Sequence, residues 1–253
     1  MDVYNAFLQG DLVEEVNIEL PDGFYSQGNE VMIMELKYIL NGSFKMKDLG
    51  ELKYFLGLEV LRSKEGIVLN QRKYALELIE ENGTGEAKTA MTPLEQNKKL
   101  TTAEYDETLC GYEQLLQNKS VFQRLIGRLI YLTHTRPNIA YAIHFLSQFM
   151  HKRKQSHLEI ALRVVKYIKK NLVQGILLSA TSECKLFTYF DSDWDVCPMT
   201  RRSVTGFCSK LGMSLISWKS KKQNTVARSS AEAEYRSMTG TTTELVLLKG
   251  FLT

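Results

Sequence analysis

The sequence lacks most of the features that would place a protein in a membrane or outside the cell. It has only four cysteines, and none of them form a Cys-x-x-Cys pair, which predicts reduced, structural thiols as in intracellular proteins. No apolar run reaches the ~20 residues of a membrane-spanning helix. The N-terminal residues Met1 to Tyr4 include an acid, Asp2, and no basic segment of the kind that opens a signal peptide. These absences predict a cytoplasmic or nuclear protein that is neither secreted nor inserted in a membrane.

Common catalytic patterns are also absent. The sequence has no glycine-rich phosphate loop and no Ser-His-Asp arrangement. The four histidines do not show metal-ligand spacing, so we expect them at ordinary surface or core positions. The formal net charge is +3, which neither requires nor excludes a polyanionic partner. The placement of the basic residues therefore has to decide that question.

The first part of the chain combines irregular segments with short regular elements. Loop signals dominate residues 1–30, and the apolar positions of residues 32–44 are typical of a helix. Residues 54–69 alternate between apolar and polar side chains on both sides of a polar turn, which predicts a pair of strands. Residues 71–81 follow as a predicted helix that ends at an Asn-Gly pair.

The rest of the chain divides into a linker, a helical segment and a mixed segment. Residues 83–118 are polar and poorly patterned, and we interpret them as a linker and the best domain boundary. Residues 119–180 carry three amphipathic helices, the first of which is ended by Pro137. Residues 181–253 carry a strand, a hairpin and a long helix that begins with a possible capping box at Ser229. This order predicts an α/β layer at the end of the chain.

Acidic side chains gather where the first strand of the last segment is predicted to end. Asp191, Asp193 and Asp195 follow strand residues 185–190, and Glu234 lies in the first turn of the helix beyond the hairpin. If that helix packs on the sheet, Glu234 faces Asp191, and converging carboxylates are the ligands that Mg²⁺ prefers. Two such ions, ~3.5–4 Å apart, activate water and stabilise the leaving oxygen of a phosphodiester. The alternative is a set of solvated acids, with glutamate at the helix N-terminus favoured by the helix macrodipole.

Basic residues surround the hairpin of the same segment. They are Lys219, Lys221, Lys222, Arg201 and Arg202. Such side chains neutralise the backbone of an RNA–DNA hybrid, a contact that is independent of base sequence and weakened by salt. The alternative is a solvated basic surface. Trp218, which precedes the lysines, either packs in the core or stacks near a substrate.

Several runs in the first part of the chain resemble segments of copia-type reverse transcriptases. Residues 1–12 (MDVYNAFLQGDL), continuing to residues 19–24, resemble the first catalytic motif of that family. Residues 45–57 (KMKDLGELKYFLG) are similar to its primer-grip region. Residues 124–133 and 136–142 look like the segment that connects the polymerase to RNase H.

Three later runs resemble the RNase H segments of the same family. They are YFDSDW at residues 189–194, SWKSKKQ at residues 217–223 and SSAEAEY at residues 229–235. Because all these runs occur in the family's order over nearly the whole chain, the sequence is identified as a piece of a copia-type retrotransposon Pol polyprotein that is internally deleted and truncated.

This resemblance implies an α+β fold with four parts. Residues 1–82 would be a remnant of the reverse-transcriptase palm and thumb, and residues 83–118 a linker. Residues 119–180 would form the helical connection, and residues 181–253 an incomplete RNase H-like α/β layer.

The resemblance also implies roles for four residues. Asp2 matches the first metal-binding aspartate of the polymerase, and Phe7 matches the aromatic steric gate that rejects a ribose 2′-hydroxyl. Asp191 matches the first RNase H aspartate, and Glu234 matches the helix glutamate that shares its Mg²⁺ ions. Without the resemblance, Asp2 would be interpreted as a turn or surface acid.

Parts of both catalytic sets are missing from the sequence. The family's Tyr-x-Asp-Asp turn should precede the primer-grip-like run, yet Phe24 passes almost directly to Gly28. The chain also reaches Thr253 before the family's later RNase H acids. We therefore expect an inactive or severely impaired enzyme whose ancestral chemistry depended on Mg²⁺. The alternative is a non-enzymatic module that binds an RNA–DNA hybrid or another nucleic acid, or associates with intact element proteins.

Overall fold

The computed structural model describes most of the chain beyond residue 50. The described residues are 38–39, 50–95, 99–109, 113, 115–180 and 184–252. Tyr38 and Ile39 are helical, and the rest of the helix predicted for residues 32–44 lies outside the described residues. The strands are β1 (Tyr54–Phe55), β2 (Leu58–Ser63), β3 (Gly66–Asn70), β4 (Gly175–Ser179), β5 (Leu186–Asp193), β6 (Val204–Leu211) and β7 (Ser214–Lys222). The helices are α1 (Arg72–Glu81), α2 (Ala103–Leu109), α3 (Lys119–Leu132), a 3-10 turn (Pro137–Ile139), α4 (Ala140–Ser147), α5 (Gln155–Lys170) and α6 (Ser230–Leu252).

The first sheet contains β1, β2, β3 and β4 in that order, and each neighbouring pair is antiparallel. The predicted strand pair is confirmed as β2 and β3, which meet at a turn that ends in Gly66. A side chain at Gly66 or at Gly175 would collide with the carbonyl oxygen of the opposite strand. These two glycines therefore allow β4, which follows β3 only after five α-helices, to approach β3 closely.

The core of this region lies between the helices α1, α3, α4 and α5. The three amphipathic helices predicted for residues 119–180 are confirmed, and Phe122, Leu129 and Leu146 are fully buried. Arg136 is also buried, with 1% of its surface exposed. Its guanidinium donates hydrogen bonds to the carbonyl oxygens of Asn171 (2.9 Å) and Leu172 (2.7 Å). The charge therefore satisfies carbonyl groups just beyond the end of α5.

The residues predicted as a linker lie along α5. The backbone of Ala90 donates a hydrogen bond to Lys166 O (3.3 Å), and Lys169 Nζ donates to Ala87 O (2.9 Å). Leu100 is buried in the core. A segment with little apolar periodicity thus still lies against a helix, because hydrogen bonds of its backbone and the burial of Leu100 hold it there.

A buried polar cluster fixes the same segment to the start of α5. His157 is fully buried, and its Nε2 donates a hydrogen bond to Thr101 O (3.1 Å) while its Nδ1 accepts one from Lys154 N (3.2 Å). This pattern defines a neutral imidazole. The ammonium of Lys154, itself 5% exposed, pairs with Asp106 at 2.5 Å and with Glu113 at 3.4 Å. Burial, followed by the charge of Lys154, lowers the pKa of His157 to about 4.

The second sheet contains β5, β6 and β7, all antiparallel, with β6 in the middle. The predicted hairpin is confirmed, and its turn contains Gly212 in a left-handed conformation (φ 54°). Helix α6 covers one face of this sheet. On the other face, Trp218 Nε1 donates a hydrogen bond to Thr133 O (3.0 Å) and Lys222 N donates one to His144 Nε2 (3.1 Å). The sheet therefore lies between α6 and the ends of the connection helices.

Strand β5 is longer than predicted. The strand expected at residues 185–190 continues to Asp193, and Asp191 is paired with Gly206 in β6. Aspartate is depleted in strands, so the sequence indicated a strand end where pairing with β6 continues. In the described part of the chain, no helix combines the length and apolar character needed to cross a membrane.

Candidate carboxylate site and basic groove

The structure brings Asp191 and Glu234 together at the outer edge of β5. Asp191 lies on β5, and Glu234 lies near the start of α6. The backbone N–H of Ser192 donates a hydrogen bond to Glu234 Oε1 (3.2 Å). Helix α6 therefore packs on the sheet as the expected juxtaposition requires, and the edge strand orients the glutamate.

The two carboxylates repel each other. Burial raises the pKa of Asp191, and the charge of Asp193 adds to this rise. Burial also raises the pKa of Glu234, and the charge of Asp191 raises it further. A cation between Asp191 and Glu234 would relieve this repulsion, because an opposite charge favours the ionised form of a carboxyl group.

The neighbouring acids are held by other side chains. Asp193 Oδ2 accepts a hydrogen bond from Tyr141 Oη of α4 (3.3 Å). Glu232 accepts a hydrogen bond from Arg228 N (2.7 Å) and pairs with Arg236 at 2.6 Å. The capping box predicted at Ser229 is half formed, since Ser229 Oγ accepts from Glu232 N but Glu232 bonds to Arg228 instead of Ser229.

The donor set at this edge fits one hydrated Mg²⁺ ion better than two. Mg²⁺ usually keeps several water ligands and is bound by one or two carboxylates together with substrate phosphates. Asp191 and Glu234 could supply such a pair. Across the described ranges, no three His, Cys, Asp or Glu side chains converge as a metal-binding group.

A polar network that the sequence did not reveal holds α6 on the sheet. Gln223, at the end of β7, donates from Nε2 to Ala233 O (2.9 Å), to Thr205 Oγ1 (3.1 Å) and to Ser192 Oγ (3.3 Å). Ser237 on α6 lies 2.8 Å from the Thr205 hydroxyl. The face of α6 that packs on the sheet carries small residues, so apolar periodicity does not identify it. The sequence pattern that could have identified this face is the spacing of four between the small residues Ala233, Ser237 and Thr241, all of which are buried.

The basic residues predicted to bind nucleic acid do not act as one cluster. Arg201 pairs with Asp195 at 2.5 Å, and Lys222 Nζ donates to Cys197 Sγ (3.2 Å). Lys219 and Lys221 are exposed on β7, and Arg202 is exposed before β6. Trp218 is half-buried and bonded to Thr133 O, an arrangement that favours packing over stacking on a substrate.

Two predicted site residues, Asp2 and Phe7, lie outside the described residues. So do most of the runs that resemble the polymerase motifs. The geometric evidence for a functional site therefore comes from the last segment of the chain.

Comparison with known proteins relates the chain to reverse transcriptases. Residues 25–96 match the reverse transcriptase (RNA-dependent DNA polymerase) family. The uncharacterized mitochondrial protein AtMg00810 of Arabidopsis thaliana is 37% identical over 219 residues, which cover 86% of this chain and 87% of that protein. No solved structure matches the chain.

Two larger relatives are Pol polyproteins of transposons. The retrovirus-related Pol polyprotein from transposon RE1 of Arabidopsis thaliana is 38% identical over 85% of this chain, and that from transposon TNT 1-94 of Nicotiana tabacum is 33% identical over 87% of it. The chain belongs to the copia-type retrotransposon Pol polyprotein family. It spans 14% of the RE1 polyprotein and 17% of the TNT 1-94 polyprotein.

Proposed function

We propose that the chain is a nucleic-acid-binding remnant of a Pol polyprotein, with a catalytically inactive or severely impaired RNase H-like layer over residues 181–253. The observation that carries this proposal is the isolated pair of Asp191 and Glu234. Their potential helpers are engaged elsewhere, Asp193 by Tyr141 and Glu232 by Arg236.

The pair retains part of the ancestral chemistry. Bound Mg²⁺ would supply the activation of water and the neutralisation of phosphate charge that phosphodiester cleavage needs. The chain's own contribution is to hold two converging carboxylates, with Ser192 N fixing the orientation of Glu234. Because a two-metal centre needs more ligands than two carboxylates supply, we expect this pair alone to support little or no hydrolysis.

The polymerase motif supports the same conclusion. Asp2 is a single aspartate, and the run between Phe24 and Gly28 carries no Asp-Asp turn. Polymerisation by two metal ions needs more carboxylates than one. We therefore propose that the chain does not extend primers, and primer extension on an RNA template by the purified chain would disprove this part.

The test of the whole proposal separates binding from cleavage. The chain should bind a labelled RNA–DNA hybrid at low salt and release it as the salt concentration rises. The Asp191→Asn variant should bind the hybrid with the same affinity as the wild-type chain. Incubation with Mg²⁺ or Mn²⁺ should leave the hybrid intact. Cleavage that disappears in Glu234→Gln would show a surviving nuclease, and failure of the wild-type chain to bind at low salt would remove the binding function.

A further inference from the structure

A groove runs between β7 and α6, on the same face of the sheet as the polar network. It encloses about 290 Å³, and Lys219, Lys221 and Gly240 are among its lining residues. This volume lies just below the ~300–1,000 Å³ typical of ligand pockets. It is far too small for a duplex and suits a segment of one strand.

The free charge in the groove is positive. The ionisable lining residues are Lys219, Lys221, Lys222, Arg236 and Glu244. Two of the cations have partners, since Lys222 donates to Cys197 and Arg236 pairs with Glu232. Glu244 accepts a hydrogen bond from Ser217 Oγ (3.0 Å). Only the Arg236 contact is an ion pair, so Lys222 and Glu244 keep their charges and the lining remains net positive. Lys219 and Lys221 are its exposed cations.

These two lysines share one face of β7. Residues two apart on a strand lie on the same side, ~6.8 Å apart along it. Thr205 and Phe207, their register partners on β6, also line the groove. Two cations at this repeat suit successive anionic groups on an extended chain better than a single compact anion.

The groove lies further along α6 than the carboxylate pair, which sits at the opposite edge of the sheet. Gly240 follows Glu234 by six residues on α6, a rise of ~9 Å along the helix. A Cβ atom built at Gly240 meets no other atom within 4 Å. Glycine thus leaves this wall of the groove open, although glycine inside a helix costs ~1 kcal/mol relative to alanine.

We propose that this groove binds the phosphodiester backbone of one nucleic-acid strand through Lys219 and Lys221. The inference rests on the proposed nucleic-acid-binding function and names the surface that performs it. Arg201, whose charge is paired with Asp195, contributes little to this contact.

A charge test uses fluorescence anisotropy with labelled single-stranded RNA and with the RNA–DNA hybrid, over a range of salt concentrations. For single-stranded RNA, the double variant Lys219→Gln/Lys221→Gln should lower the slope of log K against log salt by about 1.4, because each phosphate contact contributes ~0.7. The matched control is Lys64→Gln/Lys88→Gln, which removes two exposed lysines outside the second sheet. The control should leave the slope unchanged.

A steric test changes no charge. Gly240→Leu should fill the groove and weaken binding several-fold, while leaving the fold intact because leucine favours the helix and its Cβ enters open space. Gly250→Leu is the matched control on the same helix, since a Cβ there also meets no neighbour. Thermal unfolding of both variants checks that neither loses structure.

The outcomes separate the groove from the proposed function. Binding by the wild-type chain that is equally affected by the groove variants and their controls would overturn the groove and leave nucleic-acid binding in place. Absence of wild-type binding at low salt would overturn both. Selective loss in Lys219→Gln/Lys221→Gln and in Gly240→Leu is the result expected.

Discussion

The two sheets of this chain are covered in different ways. The helices beside the first sheet bury large apolar side chains such as Phe122 and Leu146. The helix on the second sheet buries Ala233, Ser237 and Thr241, and Gln223 connects it to the strands by hydrogen bonds. Apolar burial is non-directional and tolerant of small shifts, whereas a hydrogen-bonded contact fixes one geometry. The comparison indicates that the first region is stabilised mainly by apolar burial. In the second region, hydrogen bonds position the helix on the sheet and less apolar surface is buried.

The largest expected effect is in the first region, at Arg136. Arg136→Ala removes a fully buried side chain and leaves the carbonyl groups of Asn171 and Leu172 without their donors. We expect the free energy of unfolding to fall by about 4 kcal/mol. Chemical denaturation monitored by circular dichroism measures this change in the free energy of unfolding.

Arg136→Lys is the control, because lysine keeps the charge but cannot bridge two carbonyl groups with a planar fork. Its loss should be roughly half as large. Equal stability of wild type and Arg136→Ala would show that the helix end does not depend on this contact.

The sequence predicted the two regions unequally. Apolar spacing at Phe122, Leu125 and Leu129 identified α3 because burial of these side chains drives its packing. Arg136 gave no comparable signal, since a charged residue is expected at the surface. Its burial depends on carbonyl groups at the end of α5, which are distant in the sequence.

The candidate site was predictable only in part. Spacing suggested that Glu234 faces Asp191 if α6 packs on the sheet, and the structure brings them together. The engagement of Asp193 by Tyr141 joins residues 52 positions apart, and no local pattern reports such a contact. The same holds for Gln223, whose partners lie on three different elements.

The second largest effect is a pH dependence in the first region. The pKa of His157 is lowered to about 4 by burial, against an ordinary value of about 6.5 in the unfolded chain. The unfolded state therefore binds more protons between these values, and stability falls as the pH falls through this window. The total loss is about 3 kcal/mol, with none expected above the ordinary pKa.

The measurement is the slope of unfolding free energy against pH between 6.5 and 5, which lies above the ordinary pKa values of the carboxyl groups. The slope should become shallower in His157→Gln. The comparison variant is His144→Gln, because burial and the charges of Lys222 and Lys221 also lower the pKa of His144. An unchanged slope in His157→Gln would contradict the assignment.

A smaller effect is expected in the second region, at Gln223. Gln223→Met keeps the volume but leaves Ala233 O and the hydroxyls of Thr205 and Ser192 without the amide donor. We expect a loss of about 2 kcal/mol, confined to α6 and its sheet. Hydrogen exchange should show faster exchange in α6 and no change in α3.

Gln223→Asn tests whether the length of the side chain matters as well as its amide group. Asparagine keeps the amide donor, but its shorter side chain withdraws the donor from α6. Its effect should approach that of Gln223→Met. Equal acceleration of exchange in α3 and α6 would mean that the two regions respond as one unit, and the comparison between them would fail.

The smallest effect concerns the junction between the regions. Trp218→Phe removes the indole N–H that donates to Thr133 O while keeping an aromatic ring in place. A loss of about 1 kcal/mol is expected for one hydrogen bond. If the regions unfold together, the single unfolding transition shifts as a whole. If they unfold separately, only the transition of the second sheet shifts, because its covering face loses a contact while the apolar core around Phe122 keeps all of its own. Differential scanning calorimetry separates these cases. A variant with unchanged stability would show that the remaining contacts across the junction, which include Lys222–His144 and Tyr141–Asp193, suffice to hold it.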